Sequence, residues 1–389
     1  MFKKHILFKN FLIKKNKATY NKVQNHYYNI INEKSEVISS LDKKYKDSFS
    51  KKIVKKFIKI KNVILIGMGG SILGAKAIYS FLNPVNKKFY FIDSFFNSSK
   101  KKIRNPKITL IISKSGNTLE TISNSSILSN NKKNKNIFIT ENKRNYLNQL
   151  ASDLKSEIIH HNNFIGGRYS VLSEVGMLPA QFMGFKPDNF RKFNELVKDK
   201  FFVNSLINNV SSIFYYLKKN KTNSIILNYD KNSNDLFYWY QQLVAESLGK
   251  KKKGILPVIS EMPKDNHSLM QYYLDGVQNN FFTLFFVKEK NSIKIKKNQL
   301  LKSHHYLKNK SLNEISFSQF VATGKVFKKK QIPFRSFVIN KKNEETLGNL
   351  FIFFILETIL LGRLMNINPY NQPSVELIKK QTYKILVSK

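Results

Sequence analysis

The chain has 389 residues, 42% of them hydrophobic, which is too long for one ordinary domain and sufficient for two cores. It contains no cysteine, which excludes disulfides, thiolate metal sites, iron–sulfur clusters and cysteine nucleophiles, and fits a reducing cytoplasm. The formal charge of +42 suits a nucleic-acid or anionic-membrane binder. Against that, the cations are almost all lysine, spread along the chain, and the arginines are only Arg104, Arg144, Arg168, Arg191, Arg335 and Arg363. Asn, Ile and Phe are abundant beside Lys, and all four share AT-rich codons. The expectation is compositional bias, with no specific nucleic acid and no membrane as partner.

Residues 1–17 are basic and partly apolar. They lack the continuous apolar core and cleavage site of a signal peptide, and have no arginine for a transit peptide. They are expected to form a surface helix within an N-terminal helical segment, 1–45. Residues 61–66 read as a buried strand entering the turn Gly67-Met68-Gly69-Gly70-Ser71, with a helix to about Leu82. Strands follow at 88–93, 108–112 and 136–140, with a helix after the turn Ser113-Lys114-Ser115-Gly116-Asn117-Thr118. This alternation predicts a mainly parallel sheet flanked by helices over 46–190.

The second half, 191–365, repeats the rhythm. Strands are expected at 224–228, 281–287 and 334–339, and helices at 234–248, 316–329 and 344–365. A last helix, 374–386, falls in a C-terminal piece, 366–389. The boundary between the halves lies in the polar, Pro-containing stretch 185–199. Residues 350–365 are the most apolar stretch. At about 16 residues they fall short of the roughly 20 that span a bilayer, so a buried helix is expected.

The glycines of the first turn let backbone approach a ligand, and the following helix aims free N–H groups at an anion. Asp93 ends the second strand where a ribose-binding acid sits in dinucleotide folds, but the third fingerprint glycine is replaced by Ile72. The turn 113–118 joins the hydroxyls of Ser113, Ser115 and Thr118 with Lys114 at a strand-to-helix junction, a set suited to a phosphate monoester. Its spacing is not that of a nucleotide triphosphate loop. Gln242 and Glu246, four apart on a helix, share a face. Arg168 follows two glycines and is an arginine where lysine is the default, which suggests a need for planar, permanently charged hydrogen bonding. The pairs His160-His161 and His304-His305 lack metal-ligand spacing with acids and are read as surface residues.

Five ordered blocks between residues 63 and 381 resemble the phosphoglucose isomerase family. The segment 113–121 is similar to the phosphate loop of sugar isomerase domains, and 166–173 and 366–376 are similar to the two family signatures. The stretch 242–249 and the surroundings of His267 match as well. The resemblance implies an α/β fold of two sugar isomerase-type domains, each a three-layer α/β/α unit. It implies interconversion of glucose 6-phosphate and fructose 6-phosphate through an enediolate, with no metal or organic cofactor. The implied catalytic residues are Glu246 (proton shuttle), Arg168 (enediolate), and His267 and Lys379 (ring opening). The implied substrate and phosphate ligands are Gly70, Ser71, Ser113, Lys114, Ser115, Thr118, Gln242 and Gln372. A homodimer sharing its sites through the histidine is also implied. Ser374 and Ile378 stand where glycines are expected beside Lys379, so the last helix is expected to sit differently. A non-catalytic sugar-phosphate-binding regulator and a dual isomerase that also accepts mannose 6-phosphate are the alternatives.

Overall fold

The computed structural model describes residues 2–13, 16–33, 35–95, 107–128, 135–296 and 300–388. Among these residues ten strands form two five-stranded sheets. They are β1 (Ile6–Lys9), β2 (Asn62–Gly67), β3 (Lys88–Ile92), β4 (Lys107–Ile112), β5 (Lys135–Glu141), β6 (Glu157–His161), β7 (Asn223–Asn228), β8 (Leu256–Glu261), β9 (Asn280–Val287) and β10 (Phe334–Ile339).

The first sheet has the order β3-β2-β4-β5-β6 and is parallel throughout. Its central strands are short apolar runs buried on both faces, as helices on either side require. From β2 the chain turns to one side for β3 and to the other for β4. The switch point therefore lies between β2 and β4, where open α/β sheets bind ligands beyond their carboxyl ends. Gly67 pairs with Ile112 at that edge, so the glycine turn and the hydroxyl turn emerge side by side.

The second sheet has the order β1-β10-β9-β7-β8, parallel except for β1. This corrects the expected N-terminal surface helix. Only Phe2–His5 is helical before β1, which runs antiparallel to β10 with Ile6 opposite Ile339 and Phe8 opposite Phe337. Alternation explains it: Ile6 and Phe8 face the core, while Leu7 and Lys9 face out. The rest of the N-terminal segment includes the helix Lys17–Asn32.

The helix Asn234–Leu248 follows β7 and packs against the helix Leu73–Leu82 that follows β2. The two sheets are thereby joined at the carboxyl end of the first. Behind this contact runs the helix Glu344–Leu364, within one residue of the expected 344–365. It is apolar enough to cross a membrane, but 94% of its apolar window is buried inside the protein. Its one buried acid, Glu357, is tied to Arg335 of β10, Tyr240 and Asn209.

Candidate active site

Arg168 lies in the 3-10 turn Gly167–Leu172 and is 2% exposed. Its guanidinium uses every nitrogen. Nε donates to Ser247 Oγ (2.7 Å), and NH1 donates to Glu246 Oε1 (3.0 Å) and Gln372 Oε1 (2.6 Å). NH2 donates to the carbonyls of Pro369 (2.6 Å) and Asn371 (3.2 Å). A lysine has no such fork, which is the reason for an arginine here. The turn can come this close because Gly70 lies against it. A Cβ on Gly70 would stand 2.1 Å from the Gly167 carbonyl carbon and 2.5 Å from Arg168 N.

Glu246 is held between two donors, Arg168 NH1 and, at 2.9 Å, Gln242 Nε2. Its side chain keeps 22% of its accessible surface. The other amide atom of Gln242, Oε1, is buried without a hydrogen-bond partner among the described residues. An acceptor left open beside an accessible carboxylate is an arrangement for a ligand hydroxyl. Gly69, at φ +52°, brings its backbone under this amide, where a Cβ would come within 2.6 Å of Nε2.

The hydroxyl turn lies at the head of the helix Leu119–Leu128, whose first N–H groups have no intrahelical partner. Ser113 Oγ and Thr118 Oγ1 are 2.9 Å apart, and Gly116 takes φ +67° to fold the turn. Ser115 is exposed, and Ser71 ends the neighbouring 3-10 turn Gly69–Ser71. Lys114 is engaged elsewhere: Nζ donates to the Asn163 carbonyl at 2.8 Å and lies 3.4 Å from Glu141. Asp93 pairs with Lys76 at 2.8 Å. Its carboxylate is therefore already matched by a cation.

Two expected residues stand apart from this group. His267 is exposed, just after the 3-10 turn Lys264–Asn266, and its ring makes no hydrogen bond among the described residues. Lys379 pairs with Glu376 at 2.6 Å on the helix Val375–Val387, which has no buried residue. The structure thus brings together Arg168, Glu246, Gln242, Gln372 and Gly70, while among the described residues no hydrogen bond ties Lys379 or His267 to them.

Sequence reasoning overlooked the supports. Ser247 accepts from Arg168 Nε, and the Tyr169 hydroxyl lies 2.9 Å from Ser247 Oγ and donates to the Pro369 carbonyl at 3.1 Å. Burial pushes the Tyr169 phenol up to about 12, against the pull of Arg168. Both residues adjoin a candidate residue in the chain, which was the available signal. His161 is a correction: it is 3% exposed rather than a surface residue. It ends β6, with Nδ1 2.5 Å from Glu174 and Nε2 3.0 Å from the Ile165 carbonyl. Burial pushes the Glu174 carboxyl up, but the hydrogen bond and charge of His161 outweigh it and hold it below its ordinary value. The pair closes the base of the loop that carries Arg168.

Two mainly parallel five-stranded sheets flanked by helices, joined by the packing of the helices that follow β2 and β7, define a double α/β sugar isomerase fold class. Comparison with known proteins narrows it. A model of the family described as phosphoglucose isomerase matches residues 16–259, a span that includes the turn 113–118, Arg168 and Glu246 but stops before His267 and Lys379. The glucose-6-phosphate isomerase of Methanocaldococcus jannaschii is 32% identical over 349 residues, covering 84% of each chain. Two solved structures are similar in fold. One is a hypothetical protein from Thermus thermophilus (TM-score 0.83, 22% identity, 95% of both chains). The other is a glucose-6-phosphate isomerase from Chlamydia trachomatis (TM-score 0.74, 16% identity, 98% of this chain and 88% of that one). The chain belongs to the phosphoglucose isomerase family.

Proposed function

We propose that this site interconverts glucose 6-phosphate and fructose 6-phosphate, with the following division of labour. The phosphate sits on the turn formed by Ser113, Ser115 and Thr118, beside Ser71 and the free N–H groups of the helix behind it. The Glu246 carboxylate removes the proton from C2 of the open-chain aldose. The electron pair moves toward C1, and negative charge gathers on O1, where the Arg168 guanidinium stabilises it. As the hydroxyl proton on O2 passes to O1, Glu246 returns its proton to C1, and the C2 ketone forms. Gln242 Oε1 accepts a substrate hydroxyl.

Ring opening falls to His267 and Lys379. An exposed His267 ring suits a role across an interface, so the site is completed by His267 of the partner subunit in a homodimer. Lys379 arrives when the helix Val375–Val387 docks over the cleft. The absence of cysteine from all 389 residues supports a reducing cytoplasm as the setting.

The observation that carries this reading is the Glu246 carboxylate, fixed by Arg168 and Gln242 yet open to solvent. The test is turnover of fructose 6-phosphate by the purified protein beside Glu246→Gln. Loss of a general base predicts a fall in kcat of roughly 100- to 10,000-fold with substrate binding retained. A wild-type protein that binds sugar phosphate without turning it over would make the chain a regulator and overturn these roles.

A further inference from the structure

The segment between the helix Glu344–Leu364 and the helix Val375–Val387 carries Gln372 into the site and leads to Lys379. Of the described residues beyond Ser374 all but Thr382 are exposed, so the position of that arm is set by whatever grips the segment before it. Besides the Arg168–Gln372 bond, four side-chain hydrogen bonds to its backbone carbonyls do so from outside it. Arg168 holds the carbonyls of Pro369 and Asn371, and the Tyr169 hydroxyl shares the Pro369 carbonyl. The fourth is made by Lys250, whose Nζ donates to the Asn368 carbonyl at 2.5 Å. On the inner side the segment is already close-packed, since a Cβ on Gly362 would meet Pro369 at 3.1 Å.

Lys250 is itself placed with care. It follows Gly249, which ends the helix that carries Glu246 one turn earlier. It opens a two-residue turn whose central residues, Lys251 (φ 53°) and Lys252 (φ 56°), are both left-handed, closed by paired backbone bonds between Lys250 and Lys253. Left-handed lysines are unfavourable and persist only where surrounding structure imposes them. Burial, reinforced by the Arg168 charge and opposed by Glu246, draws the ammonium down to about 8, which places it in the field of the catalytic pair. In a chain rich in exposed lysine, this cation is half-buried and spends its charge on a backbone carbonyl of the segment.

We propose that Lys250 is a positioning residue, a latch between the Glu246 helix and the segment 366–373 that sets Gln372 and aims the C-terminal helix toward the site. Its mechanical part stands alone; its consequence for catalysis rests on the isomerase reading above. The latch ties one end of the base-bearing helix to the root of the arm, so the two move together.

The test uses the full-length chain with Lys250→Met and Lys250→Arg, adding Lys250→Gln should the methionine variant not fold. Hydrogen exchange across 366–373 is read by mass spectrometry, and kcat and KM are measured separately. Loss of a charge-assisted bond is expected to speed exchange of this segment on the order of tenfold, leaving β2, β4 and β7 unchanged. The kcat/KM should fall by a similar factor, and Lys250→Arg should restore most of both. Wild-type exchange of 366–373 in Lys250→Met overturns the latch. Faster exchange with unaltered kcat and KM overturns its role in positioning. If the wild-type chain proves not to isomerise, the isomerase reading fails, while the exchange measurement still decides the latch.

Discussion

Replacing Arg168 with lysine separates the need for charge from the need for a fork. The native guanidinium makes five hydrogen bonds with three nitrogens, to Ser247, Glu246, Gln372 and the carbonyls of Pro369 and Asn371. An ammonium has three donors at one point on a shorter reach, so two or more of those hydrogen bonds are lost. At about 1.5–3 kcal/mol for each hydrogen bond from a charged donor, the variant should lose about 3–6 kcal/mol of stability. The chemical step should suffer separately. Losing an aimed oxyanion donor costs roughly 100- to 1000-fold in kcat, while KM should stay within a few-fold, since Arg168 makes no hydrogen bond to the turn 113–118 proposed to hold the phosphate. The assay couples glucose 6-phosphate formation from fructose 6-phosphate to nicotinamide reduction, with urea midpoints measured alongside. A variant with a lowered urea midpoint but kcat within threefold of wild type would refute the reasoning and make Arg168 a structural tie.

Two further substitutions probe the surroundings. Gly70→Ala inserts a Cβ into space held by the Gly167–Arg168 peptide, 2.1 Å from the nearest atom. The forced displacement should cost on the order of 100-fold in kcat/KM, and near-normal kinetics would show that the contact yields without moving Arg168. Glu174→Gln removes the anion from the buried His161 pair, with an expected loss of about 3–5 kcal/mol at pH 7. The folded carboxyl lies below its ordinary value, so its contribution is complete above the unfolded pKa near about 4.3 and is lost as pH falls below that. Urea midpoints of wild type and variant should therefore converge below about pH 4, and a gap constant with pH would contradict the assignment.

Strands buried on both faces were legible because they are unbroken apolar runs, as in β2, β4 and β9. β1 was not, because four residues with lysine at an alternate position resemble many surface segments, and the partner strand lies more than 300 residues away. β8 begins with an exposed leucine and a proline on the open edge of its sheet, which blurs its pattern. The helix Glu174–Phe182 contains Pro179, a residue that argues against helix when read locally. Helix spacing placed Gln242 and Glu246 on one face, and their hydrogen bond agrees. Where Lys379 lies is a question of docking, which periodicity does not address.

The arginine argument shows where such reading stops. In a chain dominated by lysine, three of the arginines among the described residues are nearly fully buried, each with a fork to fill: Arg168, Arg191 and Arg335. Arg191 holds Asp47 and the Leu172 carbonyl, and Arg335 holds Glu357, Asn209 and Thr283. Residue type alone ranks all three alike. What distinguishes Arg168 is the state of its carboxylate. Glu357 is sealed at 0% exposed and Asp47 keeps 11%, whereas Glu246 keeps 22% and has an unpartnered amide oxygen beside it. A buried ion pair closed to solvent has no substrate to act on, and a solvated one leaves its charge screened. Reactivity needs a cation held rigidly on the protein side and an anion open on the other. That asymmetry is created by the meeting of the helices Leu73–Leu82 and Asn234–Leu248, some 160 residues apart, and no local stretch of sequence contains it.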